Sequence, residues 1–256
     1  MQDKQWWEAN HPYDFILQRY KDSIQYLNKS LKTSGVLSYL PDKLEDKELE
    51  IFCGLLGTET IEGLYILNSL RKTESINGDV CEYGVAQGAT STLIANSIFN
   101  QVNKNLYLFD SFSGLPKPSK EDELKDDIFK LGNMESYEGT MACHPNECIY
   151  RLERMNLASK RINMVPGFVE NTIGNTPQLV SFAFVDFDFY APIKLTLNTL
   201  HSKLTTGGII IVDDYDFFST GVKKAVQEFL SDKDCYDICV PEKWMGNFCV
   251  LEKKEV

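Results

Sequence analysis

The chain has 256 residues, 43% of them hydrophobic and 25% charged, values that fit one soluble α/β domain with a sizeable core. Asp and Glu total 37 against 26 Lys and Arg, a formal net charge of −11. That balance weighs against nucleic acid as a partner, because phosphate backbones need concentrated positive charge. No apolar run reaches the roughly 20 residues of a membrane span, and the opening MQDKQWWEANHPYDF lacks a secretory layout, so a cytoplasmic protein with no membrane partner is expected.

In chain order, the first part reads as helical. Ile16, Tyr20, Ile24, Leu27 and Leu31 recur at steps of three or four between Asp14 and Leu31, which marks one face of a helix. Pro41 and Asp42 open a second stretch, and Ile61–Leu70 is a third amphipathic segment. Residues 1–77 are therefore expected to form a helical cap on the same domain, with a surface for self-association into a homo-oligomer. Trp6, Trp7, Tyr13 and Phe15 either reach the site from this end or serve packing.

From residue 78 to residue 256 the pattern is strand, turn, helix. Strands are predicted at Asp79–Gly84, Asn105–Asp110, Arg161–Gly167, Ser181–Asp188, Gly207–Tyr215, Tyr236–Val240 and Asn247–Lys253. Helices are predicted at Ala89–Phe99, Cys148–Leu157, Ile193–Leu204 and Val222–Leu230. This alternation predicts an α/β fold, a mainly parallel seven-stranded sheet with helices on both faces and an antiparallel end. Ligands in such sheets bind beyond the carboxyl ends of the strands. The polar stretch Ser111–Asn146 is too long for an ordinary connection and is expected to be a lid or binding loop. The seven cysteines are an odd number in a chain of this size, so reduced thiols are expected; Cys143 and Cys148 bracket His144 but lack a second Cys/His pair for a metal.

Two strand ends carry the chemistry. The first reads Glu82-Tyr-Gly84-Val-Ala-Gln87-Gly88, where glycines allow a tight turn and a close backbone approach. It is not the G-x-G-x-x-G fingerprint of dinucleotide folds. Asp110 ends the second strand, placed either to accept hydrogen bonds from the two hydroxyls of a nucleoside ribose or to cap the next turn. At the other end, Asp186 and Asp188 close the fourth strand, and Asp213 and Asp214 the fifth. Carboxylates gathered at neighbouring strand tips repel unless a cation neutralises them, and an all-oxygen set favours a hard ion such as Mg²⁺. Such an ion would bind a substrate hydroxyl and lower its pKa. The plain alternative is that these acids cap helices.

GDVCEYGVAQG, LFDSFSGLP (Leu108–Pro116), VPGFVENT (Val165–Thr172), DFDFYAP (Asp186–Pro192) and LTTGGIIIVDDYDFFSTGVKKAV (Leu204–Val226) together resemble the macrocin O-methyltransferase family, which methylates sugar hydroxyls of macrolide antibiotics, and its relatives in other biosynthetic pathways. The likeness runs from about Gly78 to Leu230. It implies a class I, Rossmann-like methyltransferase fold that binds S-adenosylmethionine (SAM) and Mg²⁺ and methylates a hydroxyl of a small molecule, a sugar of a natural product or glycan. By motif position, Glu82, Gly84, Gln87 and Gly88 would border the methionine moiety, Asp110 the ribose with Ser111 nearby, and Gly167 and Phe168 the adenine. Asp186, Asp213 and Asp214 would hold the metal, with Asp188 facing the substrate or the ligands. Two departures stand out. Phe187 occupies a position that is glycine in the family, and the histidine of the family's long loop has no match in Leu-Gly-Asn-Met-Glu135-Ser-Tyr-Glu138. The general base then falls to Glu135 or His144, with Glu138 a further candidate. Two other readings stand beside this one: a metal-independent SAM methyltransferase of the same fold, and a non-catalytic SAM- or metabolite-binding protein.

Overall fold

The computed structural model describes residues 12–255. Three helices come first, α1 (Pro12–Thr33), α2 (Asp46–Cys53) and α3 (Thr60–Lys72). Then follow β1 (Asp79–Tyr83), α4 (Ala89–Ser97), β2 (Leu106–Asp110), α5 (Pro145–Arg154), β3 (Ile162–Pro166), the single turn α6 (Val169–Thr172), β4 (Val180–Val185), α7 (Tyr190–Lys203), β5 (Leu204–Val212), α8 (Thr220–Leu230), β6 (Tyr236–Cys239) and β7 (Cys249–Lys253). The strands form one seven-stranded sheet in the order β3-β2-β1-β4-β5-β7-β6. β1 to β5 are parallel, and β7 runs antiparallel to both β5 and β6. The predicted α/β sheet is therefore present, with β7 slotted inside the antiparallel end.

Side chains alternate across the sheet with a period of two, so each strand feeds two cores. Val80, Leu106, Leu108, Phe182, Phe184, Ile209 and Ile211 point to a core shared with α1 to α5. Cys81, Tyr83, Phe109, Ala183, Val185, Ile210 and Val212 point to the core covered by α7 and α8. Every residue of β4 is buried, as expected for a strand with helices on both faces. The N-terminal helices thus complete one layer of the domain.

Only part of the predicted stripe on α1 is used. Ile24 and Leu31 are buried, while Ile16 and Tyr20 are 61% and 44% exposed. Tyr13 is 86% exposed, Phe15 is half-buried, and Trp6 and Trp7 lie outside the described residues. Among the described residues no helix is long and apolar enough to cross a membrane.

A buried ammonium fixes the entry to β1. Lys104 Nζ donates to the carbonyls of Ile76 (2.7 Å) and Gly78 (3.2 Å) and to Ser181 Oγ (2.7 Å). Burial lowers its pKa, and this set of oxygens keeps the charge solvated inside the protein.

Candidate active site

The strand order reverses at β1, whose neighbours are β2 and β4, and the crevice beyond their carboxyl ends is where α/β sheets bind ligands. Two loops meet there very closely. Gly84 has φ 92°, and a Cβ on it would lie 1.8 Å from the carbonyl oxygen of Asp186. Gly88 (φ 78°) is equally constrained, but against α5: its Cβ would meet Cys148 Sγ at 2.6 Å. Both glycines therefore serve contacts within the protein, and only Gly84 also borders the cavity.

That cavity, about 470 Å³, is lined at one end by Gly84–Gln87, Asp110, Ser111 and Phe168, and at the other by Asp186, Phe187, Asp188, Asp213 and Asp214. The loop after α2 supplies Leu56, Gly57 and Thr58, so the N-terminal helices contribute a wall. Ile128, Phe129, Met141 and Phe217 form an apolar border. The long loop is folded rather than open. Its Leu115, Met134 and Tyr137 share a small core with Phe189 and Phe218. Tyr137 donates to Asp127 (2.6 Å) and accepts from the Phe129 amide (2.9 Å). Buried Asp122 accepts from the Tyr190 amide (2.8 Å) and from Ser219 Oγ (2.9 Å), tying this loop to the starts of α7 and α8.

At the acidic end, carboxylate oxygens of Asp186, Asp188 and Asp214 all lie within 4.8 Å of one another. β4 ends at Val185, so these acids sit on loops, and the convergence comes from left-handed backbone at Asp188 (φ 58°) and Asp214 (φ 55°). Short polar side chains tolerate that conformation better than most. Asp213 takes a different position: its Oδ1 accepts the Asp214 amide at 2.7 Å, and its carboxyl faces buried Glu62 of α3. Although Asp186 and Asp188 are partly open to the cavity, burial first, then neighbouring acids, raises the proton affinity of both. Burial pushes Asp214 up to about 6 and raises Asp213 and Glu62 as well.

At the glycine-turn end, Asp110 uses both oxygens on backbone. Oδ2 accepts the amides of Val85 (2.7 Å) and Ala86 (2.8 Å), and Oδ1 that of Phe112 (2.6 Å). Glu82 is fully buried beneath the turn; neither of its oxygens has a hydrogen-bond partner, although Ser91 lies beside it. Burial, then the Asp110 charge, raises its pKa. Ser111 Oγ donates to the Gly114 carbonyl at 2.9 Å, and the Gly167 amide donates to the Asp110 carbonyl at 2.8 Å.

Gln87, Asp110, Ser111, Phe168, Asp186, Asp213 and Asp214 thus join Gly84 around one cavity, while Glu82, Gly88 and Gly167 stand behind its wall. Glu135 is exposed on a short 3₁₀ turn and does not line the cavity. Nor does His144, which is exposed and caps α5, its Nδ1 accepting the Asn146 amide at 3.1 Å. Glu138 is exposed as well. Sequence reasoning missed Glu62 and the Leu56–Thr58 wall. Glu62 had a legible signal, an acid inside an otherwise apolar helical stretch; the wall had none.

The description of the macrocin-O-methyltransferases (TylF) matches residues 51–253. The chain belongs to the macrocin-O-methyltransferase family. One relative, the 8-demethyl-8-(2,3-dimethoxy-α-L-rhamnosyl)-tetracenomycin-C 4′-O-methyltransferase of Streptomyces olivaceus, is 23% identical over 164 residues, which cover 63% of this chain and 62% of that enzyme's length. Another, the demethyldecarbamoylnovobiocin O-methyltransferase of Streptomyces niveus, is 25% identical over 190 residues, 71% of each chain. Among solved structures, the O-methyltransferase NovP superposes with a TM-score of 0.67 at 17% identity, covering 91% of this chain and 98% of NovP. The calicheamicin methyltransferase CalS11 gives 0.60 at 20% identity, covering 89% and 91%. At these identities the two structures show the shared fold, which is the class I methyltransferase architecture expected of a macrocin-O-methyltransferase.

Proposed function

We propose that this protein is a SAM-dependent O-methyltransferase that uses a divalent cation, Mg²⁺ by the chemistry of its ligands, to methylate a hydroxyl on a sugar-bearing small molecule. The observation that carries this reading is the single cavity with a glycine turn at one end and the Asp186–Asp188–Asp214 cluster at the other. The residues fit both groups. Three carboxylates with raised proton affinity gathered at one point, Asp186 and Asp214 as ligands and Asp188 beside them, suit a hard cation, whose charge would relieve their repulsion. The unpartnered Glu82 beneath the turn suits a cofactor bearing ammonium and sulfonium charge.

SAM, when bound, supplies an electrophilic methyl group, and a divalent cation supplies positive charge that makes an alcohol more acidic. Asp186 and Asp214 would hold the cation, and Asp213 fixes Asp214 through its amide. Asp188 lies within 4.8 Å of both. It makes no hydrogen bond to backbone among the described residues, and we assign it the acceptance of the hydroxyl proton at a carboxylate oxygen. The Gly84–Gln87 turn and Phe168 would orient the cofactor, and the long loop with its apolar border would exclude water, so positioning carries much of the barrier reduction. Neutral sugars linked to apolar groups match that border. The exposed apolar start of α1 is where self-association would occur.

Calorimetry with SAM and turnover of rhamnosyl glycosides, followed by release of S-adenosylhomocysteine, test this reading. SAM is expected to bind with or without Mg²⁺, whereas turnover requires the metal. Asp188→Asn keeps the Mg²⁺-dependent thermal shift while turnover falls by about 100-fold or more. Turnover that survives EDTA would remove the metal, and SAM binding without any methyl transfer would favour a non-catalytic protein.

A further inference from the structure

The long loop and the turn after β5 pair into a short ribbon beside the cavity. The Lys125 amide donates to the Phe218 carbonyl at 2.8 Å and the Thr220 amide to the Glu123 carbonyl at 3.0 Å, with an antiparallel bridge between Leu124 and Ser219. Lys125 Nζ donates to the Asp216 carbonyl at 2.6 Å and to the Asp216 carboxylate, so an ammonium holds a residue with left-handed backbone (φ 66°). At the head of the ribbon sits buried Asp122 with four donors. Ser119 N–H (2.8 Å) and Oγ (2.7 Å) bond Oδ2, and the Tyr190 amide (2.8 Å) and Ser219 Oγ (2.9 Å) bond Oδ1. An ionised carboxylate has about four acceptor sites, so none is left for a ligand.

Both donors on Oδ1 belong to helix starts. α7 has no side-chain cap of its own, because Phe189 stands at its N-cap position, and Asp122 takes the orphan amide of its first residue, Tyr190. Ser219 caps α8 by accepting the Gly221 amide at 2.9 Å while it donates to Asp122. The fit is close: a Cβ on Gly221 would lie 1.9 Å from Asp122 Oδ1. Each helix start follows one arm of the acidic cluster. Asp188 is two residues before Tyr190, and Asp214 opens the turn that runs to Ser219, its carbonyl accepting the Phe217 amide at 3.1 Å. On the loop side the ribbon leads to Asp127, which accepts the Leu131 and Gly132 amides (2.8 and 2.9 Å) and shapes the segment that brings Ile128 and Phe129 to the cavity. Phe217, on the ribbon's other strand, lines the same cavity.

We propose that Asp122 and Lys125 are positioning residues for methyl transfer, holding Asp188 and Asp214 in register with the Ile128–Phe129–Phe217 border so that cation and acceptor meet one preformed unit. This rests on the reading of the acids as a cation site that takes the acceptor hydroxyl. Asp188 (φ 58°) and Asp214 (φ 55°) keep left-handed backbone only where their surroundings over-determine it. The charge-assisted bonds of Asp122 to the two helix starts, and of Lys125 to Asp216, supply that constraint before any ligand arrives.

A split between ligands separates this role from a general contribution to the fold. Mg²⁺ and S-adenosylhomocysteine are titrated by calorimetry into the wild type, Asp122→Asn and Lys125→Met, and kinetics are followed with a rhamnosyl glycoside. Asn turns an NH₂ group toward either the Ser119 or the Tyr190 amide, both of them fixed donors. In Asp122→Asn, Mg²⁺ affinity is expected to fall about 10-fold and kcat about 10- to 100-fold, while S-adenosylhomocysteine affinity and KM for SAM stay within about twofold of wild type. Lys125→Met, at a partly exposed ion pair, is expected to show the same pattern at about 3- to 10-fold. Equal losses for both ligands would mark a merely structural role and overturn the proposal, as would wild-type Mg²⁺ affinity and kcat in folded Asp122→Asn. Should Asp122→Asn not fold, Lys125→Met decides by the same criteria. Turnover of the wild type that survives EDTA would remove the cation reading alone, with kcat against KM for SAM in the two variants still deciding the positioning role.

Discussion

Stripping divalent cations with EDTA and measuring thermal stability across pH puts the acidic cluster to a quantitative test. Asp214 moves from an ordinary 3.8 to about 6, chiefly through burial. Those two or so units, at about 1.4 kcal/mol each, mean that keeping this one carboxylate ionised costs the fold about 3 kcal/mol. The sign follows from proton counting. A folded-state pKa above the unfolded one means that the folded protein binds more protons, so this contribution is complete below the unfolded value and is lost as pH rises through about 6. Asp186, Asp188, Asp213 and Glu62 shift in the same direction. Exposed carboxylates held down by lysine, such as Asp216 and Glu228, act oppositely and only at lower pH. Between about pH 7.5 and about pH 5 roughly 1.4 kcal/mol of this is recovered, the rest only below pH 4, so at about 2–4 °C per kcal/mol for a domain near this size Asp214 alone corresponds to a rise in Tm of about 3–5 °C over that range in EDTA. Mg²⁺ competes with those protons, so its stabilising shift is expected to be largest above pH 7 and to fade below pH 6. Scanning calorimetry in EDTA and in MgCl₂ reads both effects. A Tm in EDTA that stays flat or falls over this range, together with no Mg²⁺ shift at neutral pH, would refute the reasoning.

Two further substitutions probe opposite ends of the argument. Gly84→Ala would place a Cβ 1.8 Å from the Asp186 carbonyl at a residue with φ 92°, and urea unfolding is expected to show a loss of about 3 kcal/mol or more. Because the displaced loop carries Asp186, the Mg²⁺-dependent thermal shift should disappear with it; a variant retaining that shift and wild-type stability would mean the two loops are not in contact. His144→Ala removes the side-chain cap of α5, with an expected loss of about 1 kcal/mol in stability and turnover within about twofold of wild type. A fall of about 100-fold in kcat would place its imidazole in the proton transfer.

The sheet was legible because its strands are short apolar or β-branched runs between turn signals, and Gly207–Val212 is the clearest of them. Strand ends were less so: β4 stops at Val185, before the acids that the alternation carried to residue 188. That difference matters chemically. On an extended strand, Asp186 and Asp188 would share a face by period two, whereas here they meet Asp214 because Asp188 and Asp214 adopt left-handed backbone. No periodicity encodes such a conformation at a single aspartate. The stripe on α1 failed for another reason, since helical spacing shows which residues can share a face but not whether anything packs against it. Ile24 and Leu31 find a core, and Ile16 does not.

The acids at the strand tips divide by what their oxygens already hold, and that division assigns their roles better than their positions in the chain. Asp110, Asp122 and Asp213 accept backbone amides, and each of them shapes a loop: the glycine turn, the anchor of the long loop, and the Asp213–Asp214 bend. Asp186, Asp188 and Asp214 accept no backbone amide among the described residues, and their oxygens converge on one another in the cavity. In sequence, Asp213 and Asp214 are indistinguishable neighbours; in the fold, one spends its acceptor on the other's amide and leaves its partner free for a ligand. Preorganisation of this kind explains how eight acids, including Glu62 and Glu82, can crowd around this end of the sheet. Those that hold backbone are stabilised by it, and those that hold nothing leave a charge deficit that a cation is suited to fill.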